Sequence, residues 1–329
     1  MPDNDKADIF RQASVQSGMP AYAVEKDWWV VQTLDMIFRT AIAGYLVFKG
    51  DASLSKGWGL IERFSEDVEL AIDGRCFGFS STLEQDDIDF LRRVAGAYID
   101  KELLEGLRQK VMQKGFTNVR LEIEPGLGSG RDRTILLYYP NVIDSPGYLQ
   151  PRVEIEFSCL SLMEPASHQS FGSIVDEAFP EKKFTEFPIT IATVNPERTL
   201  LEKIFLLHEE LQKPPEKIRT GDRLSRHLYD VAKLSATRFA DTALSEPELY
   251  RTVVAHRRQF NAIPGVDYSR HAPPQIQMIP MEGVLAGWQA DYRTLVEELI
   301  YEESPPSFQE VLDVLKQLQK RINLLQWQL

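Results

Sequence analysis

Two carboxylates, Asp67 and Glu69, stand two residues apart in the run Arg63-Phe64-Ser65-Glu66-Asp67-Val68-Glu69-Leu70-Ala71-Ile72. At the strand period of two, Val68, Leu70 and Ile72 turn to one face and both carboxylates to the other. Positions i and i+2 lie roughly 6.5–7 Å apart along a strand. That is near enough to share hard divalent cations, and near enough to repel one another without them. Upstream, Val47-Phe48-Lys49-Gly50-Asp51-Ala52-Ser53-Leu54-Ser55-Lys56 reads as a buried strand, a glycine turn and a short helix. Gly50 admits close approach of a ligand to the backbone, and the helix start offers unpaired N–H donors to phosphate. A phosphate turn followed by a metal-binding strand is the order that nucleotide chemistry needs. Each half alone has a plainer reading, since glycine turns mostly just turn the chain and D-x-E on a strand is commonly a solvated face. A later strand, Val153-Glu154-Ile155-Glu156-Phe157, again alternates apolar residues with carboxylates and is the source of a third ligand.

The elements that must position these groups follow from periodicity. Residues from about 8 to 40 carry Phe10, Ala21, Val24, Trp28, Val31 and Leu34 at helical spacing. Strands are expected near 45–49 and over 66–72, then a long amphipathic helix from Asp87 to Lys114. Two alternating runs, Val119-Leu121-Ile123 and Thr134-Leu136-Tyr138, flank Pro125-Gly126-Leu127-Gly128-Ser129-Gly130, which reads as a hairpin tip because no helix follows it. Near residue 195 mixed strands give way to helices, dividing the chain into 1–195 and 196–329. Pro196-Glu197-Arg198 opens a helix with Leu200, Leu201, Ile204, Phe205 and His208 on its apolar side and Glu202 and Lys203 on its polar side. The next helix holds Arg223, Arg226, His227, Tyr229 and Asp230. Ser307-Phe308-Gln309-Glu310 is a capping box for a last helix bearing Val311, Leu315, Leu318, Ile322 and Leu325, which has two heptads and is expected to pack on its own domain. The class is α+β: a mixed sheet flanked by helices, then a helical C-terminal domain.

Composition narrows the function classes. A chain of 329 residues, 43% hydrophobic, can bury a substantial core and is long enough for two domains. The longest apolar stretch, Ala41 to Phe48, is far short of a membrane span, and the polar start Met1-Pro2-Asp3-Asn4-Asp5-Lys6 lacks the regions of a signal peptide. A cytoplasmic protein with no membrane partner is expected. Cys76 and Cys159 are too few and too far apart for a metal knuckle or a disulfide framework, which leaves reduced structural thiols. A net charge of −12 argues against a general basic coat for nucleic acid. A local run, Lys213, Lys217, Arg219, Arg223 and Arg226, is placed to guide an RNA backbone, or is simply a soluble loop.

Glu25-Lys26-Asp27-Trp28-Trp29-Val30, Phe48-Lys49-Gly50 with Ser53-Leu54-Ser55-Lys56, Ile61-Glu62-Arg63-Phe64-Ser65-Glu66-Asp67, Glu197-Arg198-Thr199 with Glu202-Lys203, and Arg226-His227-Leu228-Tyr229-Asp230 occur in that order. Together they resemble the AbiEii family of nucleotidyltransferase toxins, from about residue 20 to Pro305-Pro306-Ser307-Phe308. The resemblance implies a DNA polymerase β-like nucleotidyltransferase core followed by a helical domain that completes the nucleotide and acceptor cleft. It also implies the toxin of a toxin–antitoxin or phage-defence pair, with a cognate antitoxin. By the same resemblance, Gly50, Ser53 and Lys56 belong to the loop holding the nucleoside triphosphate. Asp67, Glu69 and Glu156 are the catalytic acids holding two Mg2+, and Lys203 is the catalytic lysine that meets the phosphates. Arg226 and Asp230 form the last motif at the nucleotide. The choice of Glu156 over Glu154, which shares its face, rests on the resemblance alone. Lys203 and Arg226 also read as solvated helix-face charges, and His227 as a structural residue.

The expected activity is Mg2+-dependent transfer of a nucleotide from an NTP to an RNA acceptor, the resemblance pointing to a tRNA 3′ end. One departure stands against it: Asp51 replaces the small residue, commonly glycine, that the family has after Gly50, and a carboxylate there repels a triphosphate unless it caps the following helix or binds metal. Glu69 in place of aspartate is milder. Asp51 therefore keeps open a catalytically impaired homologue that binds a nucleotide or an antitoxin. A transferase acting on a small molecule or protein would share the same core.

Overall fold

The computed structural model describes residues 3–65, 67–80, 85–124, 132–145, 150–221 and 223–327. Glu66 and the glycine run at 125–130 lie outside them. The chain divides into two compact units, Met1–Gly57 with Phe64–Val194, and Trp58–Arg63 with Asn195–Leu329. No helix among the described residues is long and apolar enough to cross a membrane.

The first unit is a seven-stranded mixed sheet with flanking helices. Its strands are β1 (Leu46–Lys49), β2 (Asp67–Ile72), β3 (Arg120–Ile123), β4 (Arg133–Tyr138), β5 (Arg152–Ser158), β6 (Ala166–Phe171) and β7 (Ile189–Val194), in the spatial order β3-β4-β5-β2-β1-β7-β6. β1 runs antiparallel to β2, and β2 runs parallel to β5. β6 and β7 are an antiparallel pair that the sequence reading did not identify, although Ile189, Ile191 and Val194 are β-branched. The single helical region expected over 8–40 is two helices, α1 (Asp3–Ser17) and α2 (Ala21–Ile37). Gly18, at φ +73°, and Pro20 break it, because neither suits a helix interior. The long helix expected from Asp87 to Lys114 is α4 (Gln85–Tyr98) and α5 (Leu104–Gln113), joined by a π-helical turn, Ile99–Leu103.

One face of this sheet is the core. Val68, Leu70 and Ile72 of β2, Ile135 and Leu137 of β4, and Val153, Ile155 and Phe157 of β5 are all buried there with Leu34 and Ile37 of α2 and Leu107 of α5. Trp29 stacks on Tyr139 at 5.1 Å between ring centroids, which fixes α2 beside the strand. The acidic residues of α2 are buried too, and each has a partner. Glu25 accepts from the backbone N–H groups of Val142 and Ile143, Asp27 from that of Ile174, and Asp35 pairs with Lys114 and Arg39. The other face changes character along β2: Ala71 is buried with Val47 and Val194, whereas Asp67 and Glu69 are only half-buried.

The second unit is helical. Its helices are α7 (Pro196–Leu211), α8 (Ser225–Ser235), α9 (Arg238–Ala243), α10 (Pro247–His256), α11 (Glu282–Glu298) and α12 (Phe308–Asn323). Pro196 sits in the first turn of α7, where its missing N–H costs nothing. The capping box at Ser307 and Glu310 forms as expected, and α12 packs on α8. Trp58–Arg63 joins this unit through a backbone bridge from Arg63 to Ile300 and a hydrogen bond from the Tyr301 N–H to the Glu62 carbonyl.

Candidate active site

Strand register places four polar side chains in a row across the solvent face of the first unit. Lys49 on β1 is opposite Glu69 on β2, Glu69 is beside Glu156 on β5, and Glu156 is opposite Thr134 on β4. Directly paired residues on neighbouring strands share a face, so the alternation that buries Val68 and Ile155 also brings the carboxylates together. Asp67 stands two residues from Glu69 and beside Glu154. Glu154 is engaged by its own strand, accepting from Arg152 Nε at 2.8 Å. Glu156 has carboxylates for neighbours instead. Although it is exposed at an open cavity, the cavity walls remove part of its water. That loss of solvation, followed by the charges of Glu69 and Asp67, pushes its carboxyl up to about 7.

Lys49 Nζ donates to Glu69 Oε2 at 2.6 Å and is the cation at one end of the row. Its partner takes the space above Gly50, where a Cβ would lie 2.1 Å from Glu69 Oε1. Gly50, at φ +76°, is thus required twice, for the left-handed turn and for a neighbouring carboxylate. The short helix α3 (Gly50–Ala52) follows, with Asp51 at its second position, and runs into a π-helical turn, Ser53–Gly57. The cap position is Lys49, not Asp51, and its side chain makes no capping bond. Ser53 is fully buried and donates to the Gly50 carbonyl at 2.7 Å, closing the turn. Lys56 at the end of the segment pairs with Asp27 at 2.9 Å. Asp27, which sequence reading assigned no function, therefore ties this segment to α2 and to the start of α6 (Ile174–Ala178).

The cavity has a volume of about 800 Å3, within the range of ligand pockets, and runs from Lys49, Glu69 and Glu156 past Ser158 to Arg92 on α4 and Arg133. Its acidic end presents the carboxylate oxygens of Glu69 and Glu156, with Lys49 and Thr134 beside them. That suits hard ions such as Mg2+ and not the softer metals that select nitrogen or sulfur. Burial pushes the Cys76 thiol up to about 11 and the Cys159 thiol up to about 12, so both favour the neutral thiol.

The three remaining candidate residues lie in the second unit. Asp230 is fully buried and accepts from Arg63 Nε and Nη2, both at 2.7 Å, and from Lys203 Nζ at 2.8 Å. Lys203 also contacts His227 Nδ1 at 3.3 Å. The alternative reading of Lys203 as a solvated helix-face charge does not hold, because this network buries it at 5% exposure. Arg226 is half-buried on the same helix as Asp230. Of the basic run, Lys213 and Arg219 are drawn to Glu210, at 2.7 and 3.0 Å. Arg63 was the residue missed here, since nothing near it in sequence announces a partner so far along the chain.

A family model described as nucleotidyl transferase AbiEii toxin, type IV toxin–antitoxin system, matches residues 33–314. Among solved structures, MenT4, a nucleotidyltransferase toxin from Mycobacterium tuberculosis, is 16% identical with a TM-score of 0.44, over 98% of this chain and 99% of that one. Comparison with curated proteins gives no match.

Proposed function

The chain belongs to the AbiEii family of nucleotidyltransferase toxins of type IV toxin–antitoxin systems, and from that premise we propose that it transfers a nucleotide from an NTP to an RNA acceptor, the tRNA 3′ end first among candidates. The observation that carries the proposal is the carboxylate row Asp67, Glu69 and Glu156, aligned by the pairing of β2 with β5. These residues would hold two Mg2+, whose chemistry is to offset charge on the attacking and departing oxygens. The Gly50 turn brings backbone close to the phosphates, and Lys56 is held at its end by Asp27. In the reaction the acceptor hydroxyl oxygen bonds to the α-phosphorus as the bond to the bridging oxygen breaks. Pyrophosphate leaves with that electron pair, and the hydroxyl proton passes to solvent. A cytoplasmic site of action and a cognate antitoxin accompany this reading.

The test is incubation of the protein with each α-labelled NTP, Mg2+ and total tRNA, beside Asp67→Ala and Asp51→Gly. Transfer that disappears with Asp67→Ala supports the proposal and identifies the base. Asp51 motivates a second reading, a homologue that binds a nucleotide or antitoxin without turnover. Transfer seen only after Asp51→Gly favours that reading, and transfer to protein or small molecules in place of tRNA replaces the acceptor.

A further inference from the structure

The cavity is larger than the acidic row needs, and its far wall has no role in the reading above. α4 buries Ile88, Leu91 and Ala95, which leaves Arg92 half-buried at the edge of that apolar stripe and on the cavity wall. The buried Nε of Arg92 has no hydrogen-bond partner among the described residues. Its neighbour Arg133 differs, since its Nε is held by Asp100 at 3.0 Å. The unsatisfied Nε leaves this guanidinium on the cavity wall one acceptor short among the described residues, and phosphate oxygens match its planar fork.

Strand order says which phosphate. The Gly50 turn follows β1, the acids lie on β2 and β5, and the cavity continues past β5 to β4 and Arg92. In an in-line displacement the leaving pyrophosphate and the attacking hydroxyl lie on opposite sides of the α-phosphorus. With the triphosphate toward the Gly50 turn, the hydroxyl arrives from the β5–β4 side. We propose that the Arg92 wall of the cavity binds a backbone phosphate of the acceptor strand just before its terminal hydroxyl, making the acceptor a single-stranded polynucleotide end. This rests on the nucleotidyltransferase reading of the acidic row. Ser158 lines the same cavity, and its hydroxyl is a further donor there.

The test has a binding arm that needs no turnover. A fluorescent single-stranded RNA with a free 3′ hydroxyl is titrated into the full chain carrying Asp67→Ala, with and without Arg92→Ala, across a range of salt concentrations. Loss of one guanidinium–phosphate contact should weaken binding about tenfold or more and reduce the slope of log K against log salt by about 0.7. Arg92→Lys should keep the slope while losing part of the affinity, which separates the contact from a folding defect. In the turnover arm, on an otherwise native chain, Arg92→Ala should raise KM for the RNA and leave KM for the NTP within twofold. RNA binding indifferent to Arg92, or a KM rise confined to the NTP, overturns the inference. Absence of turnover in the wild type while the Arg92-dependent RNA binding persists would count against the transferase reading and leave the phosphate site standing.

Discussion

Asp230 in the second unit and Glu156 in the first are both acids on regular elements, but they meet opposite company. Asp230 is enclosed by Arg63 and Lys203, and a second buried carboxylate, Glu209, is enclosed by Arg257 at Nε, 2.8 Å, and His271 at 3.2 Å. Burial alone would raise Glu209, yet Arg257 and His271 outweigh it and hold its carboxyl below the usual range. Glu156 has Glu69 and Asp67 instead, and its carboxyl goes up. Asp35 of α2 sides with Glu209 although it lies in the same unit as Glu156: burial would raise it, and Lys114 and Arg39 outweigh that and hold its carboxyl down, whereas burial raises Glu25, which meets backbone N–H groups. What distinguishes Glu209 from Glu156 is the charge of the neighbours, more than depth or secondary structure. At Glu156 the repulsion of Glu69 and Asp67 outweighs the pull of Lys49.

The sharpest way to break this comparison is to neutralise one acid of each kind. Asp67→Ala should lower nucleotide transfer by ~10^3-fold or more while changing unfolding stability by less than about 1 kcal/mol, measured by labelled transfer and urea denaturation. Asp230→Asn should do the reverse first. With Arg63 and Lys203 left buried beside a neutral amide, stability should fall by about 3–5 kcal/mol. Equal stability losses at the two positions would dissolve the distinction. Gly50→Ala should cost about 1–2 kcal/mol through its left-handed φ and push Glu69 off Lys49. Adding Glu69→Asp should recover part of the activity lost, which a purely backbone defect would not allow.

The smallest effects are opposite pH slopes. The Glu156 carboxyl goes from the usual 4.5 to about 7 in the fold, so over that window the folded chain keeps a proton that the unfolded chain has lost. Its contribution to stability is complete below the lower value and fades as pH rises to the upper one. Melting temperatures of the metal-free protein should lose that decline in Glu156→Gln. In the second unit, burial followed by the nearby His271 pushes His208 down from 6.5 to about 4. Here the unfolded chain binds the extra proton, so stability rises with pH across the window and His208→Gln should flatten the rise. Slopes of the same sign would contradict the opposite charging of the two sites.

What could be read from sequence was local. Period-two alternation put Asp67 and Glu69 on one face and Glu154 and Glu156 on another strand, and the Pro196 start and the Ser307 capping box marked helices without any tertiary knowledge. Which strands lie side by side was not legible, and the register that sets Glu69 next to Glu156 and Asp67 next to Glu154 is a tertiary fact. So is the Arg152 contact that distinguishes Glu154 from Glu156. Arg63 and Asp230 are separated by 167 positions, and no spacing rule reaches that far. Lys203 read as a polar-face residue because helical periodicity reports amphipathicity and cannot see a buried counter-charge. β6 and β7 were missed because β6 is polar, with Ser167, His168, Gln169 and Ser170 in its middle.

The carboxylate lying over Gly50 has an evolutionary corollary. A glutamate at position 69 reaches across the turn to Lys49 and denies position 50 any side chain. An aspartate, one methylene shorter, would withdraw from that space and relax the constraint from the carboxylate, leaving only the one from φ. Lineages of this chain should therefore change positions 50 and 69 in concert, with Lys49 retained wherever the longer acid is kept, so that three residues from two strands and a turn are inherited as one character.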